Sequence, residues 1–298
     1  MARGGGLLAA MVTPLGGDGA ALDREAVAAY VRWLAGRGVD GVFVGGTTGE
    51  GPLLAAQERQ GLLEEVVAVA RPLGLGVVAH AGAATTAEAC ALAAHASALG
   101  VDAVAAIPPW FFRLDPPSLT DHFAAVAGAA GRTPFYLYHL PAAARNAVTP
   151  ALVAALAPRA PNLAGVKDSG GDLAALRALI AAGRSACPRG FTVLCGGDAI
   201  ALGALASGAD GLVSGNASAV PEPFVALLRA LRSGDLPAAR AAQDRVDRVR
   251  AALGDGADLG LFKAVLAARG VPVGVPRPPL PARTPAEAAA ALRASGDL

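Results

Sequence analysis

Eight short apolar runs, each cut off by glycine, proline or a polar residue, constrain this chain more than any other feature. They are LLAAMVTP (7–14), GVFVGGTT (41–48), GVVAHAG (76–82), AVAAIPP (103–109), PFYLYHLP (134–141), LAGVKD (163–168), FTVLCGG (191–197) and GLVSGN (211–216). Several are nearly continuous in Val, Ile, Leu and Ala instead of alternating, the pattern of parallel strands covered on both faces. Helical patterns fill the gaps. DREAVAAYVRWLAGRG has an acidic start, Val27, Tyr30, Val31 and Leu34 on one face, and a glycine exit; QERQGLLEEVVAVAR aligns Leu62, Leu63, Val66 and Val67. Successive runs start about 20 to 35 residues apart, the length of one βα unit.

Eight such units predict a (β/α)8 barrel, an α/β TIM barrel, over an open sheet. No GxGxxG opens a helix after the first run, as a dinucleotide-binding sheet would require. From Pro221 onward only helical patterns and the proline-rich VPVGVPRPPLPARTP remain. The expected division is a barrel over 1–220 and a C-terminal helical extension over 221–298.

With 25 basic and 24 acidic residues spread along the chain, nothing forms a nucleic-acid stripe or a membrane-surface helix. No uninterrupted apolar run reaches the roughly 18 residues of a membrane span. Cys90, Cys187 and Cys195 have no CxxC spacing and an odd count, which indicates neither a disulfide framework nor a zinc site. The opening MARGGGLLAAMVTPLGGDG imitates a signal peptide only briefly before Pro14 and two glycines cut it. A soluble cytoplasmic protein with a small-molecule partner is the expectation.

In such barrels the C-terminal ends of the strands face the active-site mouth. Those ends carry Thr47, Thr48, Gly49 and Glu50; Pro108 to Phe112; Tyr138 and His139; Lys167 and Asp168; Gly196, Gly197 and Asp198; and Ser214, Gly215 and Asn216. Lys167 stands at the end of an apolar run, where a cation must be solvated, paired with Asp168 or Asp172, or chemically used. Desolvation inside a barrel disfavours a lysine's ammonium form and leaves amine able to attack a carbonyl. Tyr138, one strand away at a similar level, is either a proton carrier or a core tyrosine. The GTTGE turn is either a carboxylate grip of backbone N–H groups and hydroxyls or an ordinary helix cap. Glycines after strands seven and eight suit phosphate, but no Lys or Arg accompanies them. A metal-dependent aldolase using His80 and His139 has no clear third ligand; His95 and His122 fall on helices and are expected to be solvated.

GTTGEGPLL, YHLP and GVKDSGGD, in this order on strands two, five and six, resemble the pyruvate-dependent Schiff-base lyases, the family of dihydrodipicolinate synthase and N-acetylneuraminate lyase. The resemblance extends through AHAGAATTAEA, GDLPAARAAQ and LFKAVLAARG. It implies that Lys167 forms an imine with pyruvate or another 2-oxo acid and that Tyr138 moves protons beside it. Thr48 and Thr47 would bind the 2-oxo-acid carboxylate and link Tyr138 to solvent, and Val213 would touch the bound pyruvate through its backbone. Asp198, Ser169 and Ser214 would meet the hydroxylated tail, with His139 and Phe111 completing the substrate pocket. No cofactor and no metal is called for. A homotetramer, a dimer of dimers, is implied, with strand-four aromatics reaching the neighbouring subunit.

Three departures bear on the substrate. Phe111 stands where the synthase has a tyrosine in its proton relay. Ala143 stands where the synthase has an arginine for the second substrate, and Arg145 comes two residues late. PWFF and YHLPA lean toward the sialic-acid lyases, yet Ala199 follows Asp198 where those have an acid. The reading is an aldolase acting on a 2-oxo-3-deoxy acid, ahead of a deoxy-sugar-acid dehydratase and of the synthase. A ligand-sensing barrel and a phosphate-binding barrel are the readings from other classes.

Overall fold

The computed structural model describes residues 5–296; the first four residues of the opening stretch lie outside it. All eight runs form strands: β1 (Leu7–Ala10), β2 (Gly41–Val44), β3 (Gly76–His80), β4 (Ala103–Ala106), β5 (Phe135–His139), β6 (Leu163–Asp168), β7 (Thr192–Cys195) and β8 (Gly211–Ser214). They close in sequence order into a parallel barrel with helices between the strands, the predicted (β/α)8 architecture. All the strands but β6 are shorter than their apolar runs. β1, for instance, stops at Ala10 although the run continues to Pro14.

The helices begin where side chains satisfy their free N–H groups. Asp23 accepts the N–H of Ala26 and starts Arg24–Gly36, whose buried face is Val27, Tyr30, Val31 and Leu34 as the spacing predicts. Asp115, Thr149 and Asp172 do the same for Pro116–Ala129, Pro150–Leu156 and Leu173–Ala186. A second use of aspartate escaped the sequence reading. Asp40, just before β2, accepts the N–H of Leu7 at 2.8 Å, and Asp210, just before β8, accepts that of Val193 at 2.7 Å. Each ties the start of one strand to the approach of its neighbour.

The chain forms two compact units, one spanning Val78–Val213, the other Gly6–Val77 with Ser214–Leu298. The second contains Glu222–Arg232, which follows β8 as the earlier helices follow their strands, then Leu236–Ala252, Leu259–Ala268 and Pro285–Ser295. The guanidinium groups of Arg37 and Arg269 each lie 5.0 Å from the centre of the Trp33 ring, and both arginines pair with Glu222. Among the described residues no helix is long and apolar enough to cross a membrane.

One histidine departs from expectation. His122 is buried, not solvated, because its turn of Pro116–Ala129 faces inward; its Nδ1 lies 2.9 Å from the Thr86 hydroxyl and its ring meets Phe123 edge-on. Burial pushes its pKa down to about 4. Between about 6.5, the ordinary value, and that figure, the unfolded chain binds a proton the folded chain refuses. Stability therefore falls as pH drops through this window. Urea unfolding at pH 7.5 and 4.5 should show that His122→Gln loses about 2 kcal/mol less between the two pH values than the parent does. Equal losses would remove His122 as a source of acid sensitivity.

Candidate active site

β5 and β6 pair in register with Tyr138 opposite Lys167 and His139 opposite Asp168. Since side chains alternate along a strand, this puts Tyr138 and Lys167 together on one face and His139 with Asp168 on the other. The Lys167 Nζ sits 3.5 Å from the centroid of the Tyr138 ring. Both residues are buried, 5% and 2% exposed. His80, at the end of β3, meets the Tyr138 ring edge-on at 5.7 Å, and its Nε2 lies 3.4 Å from the N–H of Ile107. An amine, a phenol and an imidazole thus converge at the C-terminal end of the strands, where barrel chemistry takes place.

The opposite face has a different purpose. Asp168 accepts the N–H of Gly170 at 2.9 Å and lies 3.9 Å from His139, whose Nδ1 accepts the N–H of Val148 at 2.9 Å. Burial is the main influence on both, holding the Asp168 carboxyl above its usual range and the His139 imidazole below its own. This pair braces the loops leaving β5 and β6. His139, read from sequence as a substrate contact, therefore stands on the loop-bracing side of its strand.

The neighbouring strand ends supply smaller groups. Ser169 is half-buried, and Asp198 is buried at the start of a short 3-10 turn, Asp198–Ile200. Val213 is buried within β8. Cys195 is buried and its thiol is pushed up to about 12 by that burial, so it is no nucleophile near neutral pH. Among the described residues no group of three or more His, Cys, Asp and Glu side chains is gathered as a metal would need.

The loop after β4 presents Phe111 and Phe112, 72% and 69% exposed, with their rings edge-to-face at 5.1 Å. It is tied down by Asn146, whose amide donates to the carbonyls of Pro109 and Phe112 and accepts the N–H of Leu114. Arg145 turns its guanidinium to the Phe111 carbonyl, 3.4 Å away. Asn146 went unnoticed in the sequence because its partners lie more than 30 residues upstream.

The GTTGE turn follows β2. Thr47 is exposed and Thr48 half-buried, while Gly49 and Glu50 are buried. Thr13 donates to the Gly49 carbonyl at 2.5 Å, and Glu50 N–H returns to Thr47 at 3.1 Å. A Cβ on Gly215 would lie 2.8 Å from the Thr48 hydroxyl, so only glycine lets the loop after β8 approach so closely. At the end of β8, Ser214 accepts the N–H of Ala217 at 3.1 Å.

This geometry can now be set beside known proteins. The family model described as the dihydrodipicolinate synthetase family matches residues 3–294. The 4-hydroxy-tetrahydrodipicolinate synthase of Acidiphilium cryptum is 37% identical, over 81% of this chain and 80% of its own length. A probable 2-dehydro-3-deoxy-D-pentonate aldolase of Escherichia coli is 35% identical over 73% and 71%. Among solved structures, a prophage protein of the dihydrodipicolinic acid synthase family from E. coli K12, in complex with pyruvate, superposes with a TM-score of 0.90 at 29% identity, covering both chains fully. Family model and relatives both cover most of the chain, and the chain belongs to the dihydrodipicolinate synthetase family of pyruvate-dependent Schiff-base lyases.

Proposed function

We propose that this lyase is a Schiff-base aldolase cleaving a 2-oxo-3-deoxy acid to pyruvate and an aldehyde. The observation that carries the proposal is the buried Lys167 amine lying 3.5 Å from the Tyr138 ring on registered strands. Lys167 attacks the ketone carbon, water leaves, and the protonated imine becomes an electron sink. Tyr138 takes the proton from the hydroxyl on C4 as the C3–C4 bond breaks, releasing the aldehyde and leaving an enamine. Protonation at C3 and hydrolysis of the imine then return pyruvate and free Lys167. Thr47 and Thr48, with the N–H groups of their turn, hold the 2-oxo-acid carboxylate, and the Val213 backbone lines the pyruvate side. Ser169, Asp198 and Ser214 contact the hydroxylated tail.

Two features favour an aldolase over the synthase. Phe111 has no hydroxyl to pass a proton, and the nearby Arg145 is directed at a backbone carbonyl. The aldolase name of the E. coli relative agrees with this reading. The exposed Phe111–Phe112 pair suits contact with a second copy of the chain, and a homotetramer is part of the proposal.

Borohydride added with pyruvate should attach one reduced pyruvyl unit to the parent protein and none to Lys167→Ala. Absence of an adduct with pyruvate and every other 2-oxo acid would sink the imine. Tyr138→Phe, whose ring still stacks on the amine, should keep the adduct while turnover falls about 100-fold or more; unchanged turnover would take Tyr138 out of the mechanism. Across a panel of 2-oxo-3-deoxy acids, cleavage should release pyruvate and aldehyde in equal amounts. A product retaining all its carbons would instead mark a dehydratase.

A further inference from the structure

Glu50, the last residue of GTTGE, is one of the most buried charges in its unit, at 1% exposure. It is also a non-glycine residue in the left-handed region, with φ of 58°, a conformation that persists only where the surroundings impose it. Its surroundings come from more than 200 residues away. Lys263, 1% exposed in Leu259–Ala268, brings its Nζ to 2.7 Å from one Glu50 carboxylate oxygen and donates to the Val275 carbonyl at 2.9 Å. The backbone N–H of Arg277 donates to the other oxygen at 2.6 Å. Arg277 then forks onto both oxygens of Glu58, at 2.6 and 2.7 Å, and donates to the carbonyls of Leu53, Gly19 and Ala20. That hydrogen-bonded fork holds the Glu58 carboxyl below its usual range.

The segment 271–281, which carries Arg277, has no regular structure, yet it lies close against the rest of its unit. Gly274, at φ of 72°, passes so near the Leu15 carbonyl that a Cβ would fall 1.7 Å from it. Leu15 in turn donates to Val273 at 3.1 Å. The four charges of the cluster cancel, two of each sign, so the cluster adds little field at the turn. Its effect is geometric: it fixes the backbone from Thr47 to Gly51.

We propose that Lys263 and Arg277 are positioning residues for the substrate carboxylate, acting through Glu50 to set the N–H groups and hydroxyls of the GTTGE turn. The inference rests on the reading that this turn holds the 2-oxo acid. Lys263 touches no reacting atom, so its loss weakens capture of pyruvate more than it slows the steps at Lys167 and Tyr138.

The test uses the full-length protein with Lys263→Met, which keeps most of the side-chain volume. Half-saturating pyruvate in borohydride trapping should rise about ten-fold, equivalent to about 1.4 kcal/mol, while turnover at saturation changes less than about three-fold. Amide hydrogen exchange should accelerate at 46–51 and stay slow in β5 and β6. The doubly neutral Glu50→Gln/Lys263→Gln should lie closer to the parent than Lys263→Met, since exchanging both partners leaves no buried charge alone. If Lys263→Met does not fold, Arg277→Gln, which removes the fork on Glu58, is measured in its place with the same expected rise in half-saturating pyruvate and faster exchange at 46–51. Unchanged exchange at 46–51 in a folded variant would overturn the hold of Lys263 and Arg277 on the turn. Faster exchange with unchanged pyruvate half-saturation would overturn the assignment of the carboxylate to this turn, and with it the positioning role.

Discussion

The pairing of β5 with β6 fixes more of this molecule than any other contact. A parallel ladder allows one register to bury both apolar faces, and a slip of one residue would exchange those faces. In the register observed, Tyr138 meets Lys167 and His139 meets Asp168. The same ladder that closes part of the barrel therefore sorts four polar side chains into an amine–phenol pair and a bracing pair. The two pairs are held in different ways. The amine lies over an aromatic face, whose quadrupole favours a cation. The imidazole and carboxyl on the other side are held toward their neutral forms and anchor two loops.

This division explains how much of the site was legible before any coordinates. The eight strands were readable because a buried parallel strand leaves a local mark, an apolar run stopped by glycine or proline. Lys167 was readable because it violates that mark. The role of His139 was harder to see: it adjoins Tyr138 in sequence, but adjacency along a strand means opposite faces. His122 was misjudged for a related reason. A polar residue on a helix says nothing about which face turns inward when its chain neighbours are an aspartate and a phenylalanine, and here the inward face carries it.

The least legible features were those whose partners are distant in the chain. Glu50 reads as the end of a turn motif, and Lys263 and Arg277 as ordinary cations in a helical and proline-rich tail. Only the folded chain brings them together, across 213 and 227 residues for the two Glu50 contacts (263 − 50 and 277 − 50). Nothing in hydrophobic periodicity encodes such a meeting, because it depends on where an irregular segment crosses its unit. The capping aspartates lie between these extremes. Asp23 and Asp172 cap helices within three residues and are readable, whereas Asp40 reaches a strand 33 residues away.

The described residues contain three non-glycine residues at positive φ, and they share a location. Glu50, Phe111 and Arg145 each follow the C-terminal end of a strand, β2, β4 and β5 respectively. Backbone strain of this kind costs on the order of 1–3 kcal/mol per residue and survives only where other contacts over-determine it. The contacts are present: the buried cluster for Glu50, and Asn146 with the Arg145 guanidinium for the Phe111 loop. The barrel thus separates two tasks. Strands carry Tyr138 and Lys167, which meet after a single register shift at Phe135/Tyr136 in the β5–β6 ladder. Strained loops, secured by polar ties, carry Glu50, Phe111 and Arg145 just beyond the strand ends. Phe111 follows β4 on such a loop, while Ala143 lies in the short helix Pro141–Ala144 after β5 and Ala199 in the turn Asp198–Ile200 after β7; all three stand outside the strands, where a side chain can change without disturbing the barrel ladder.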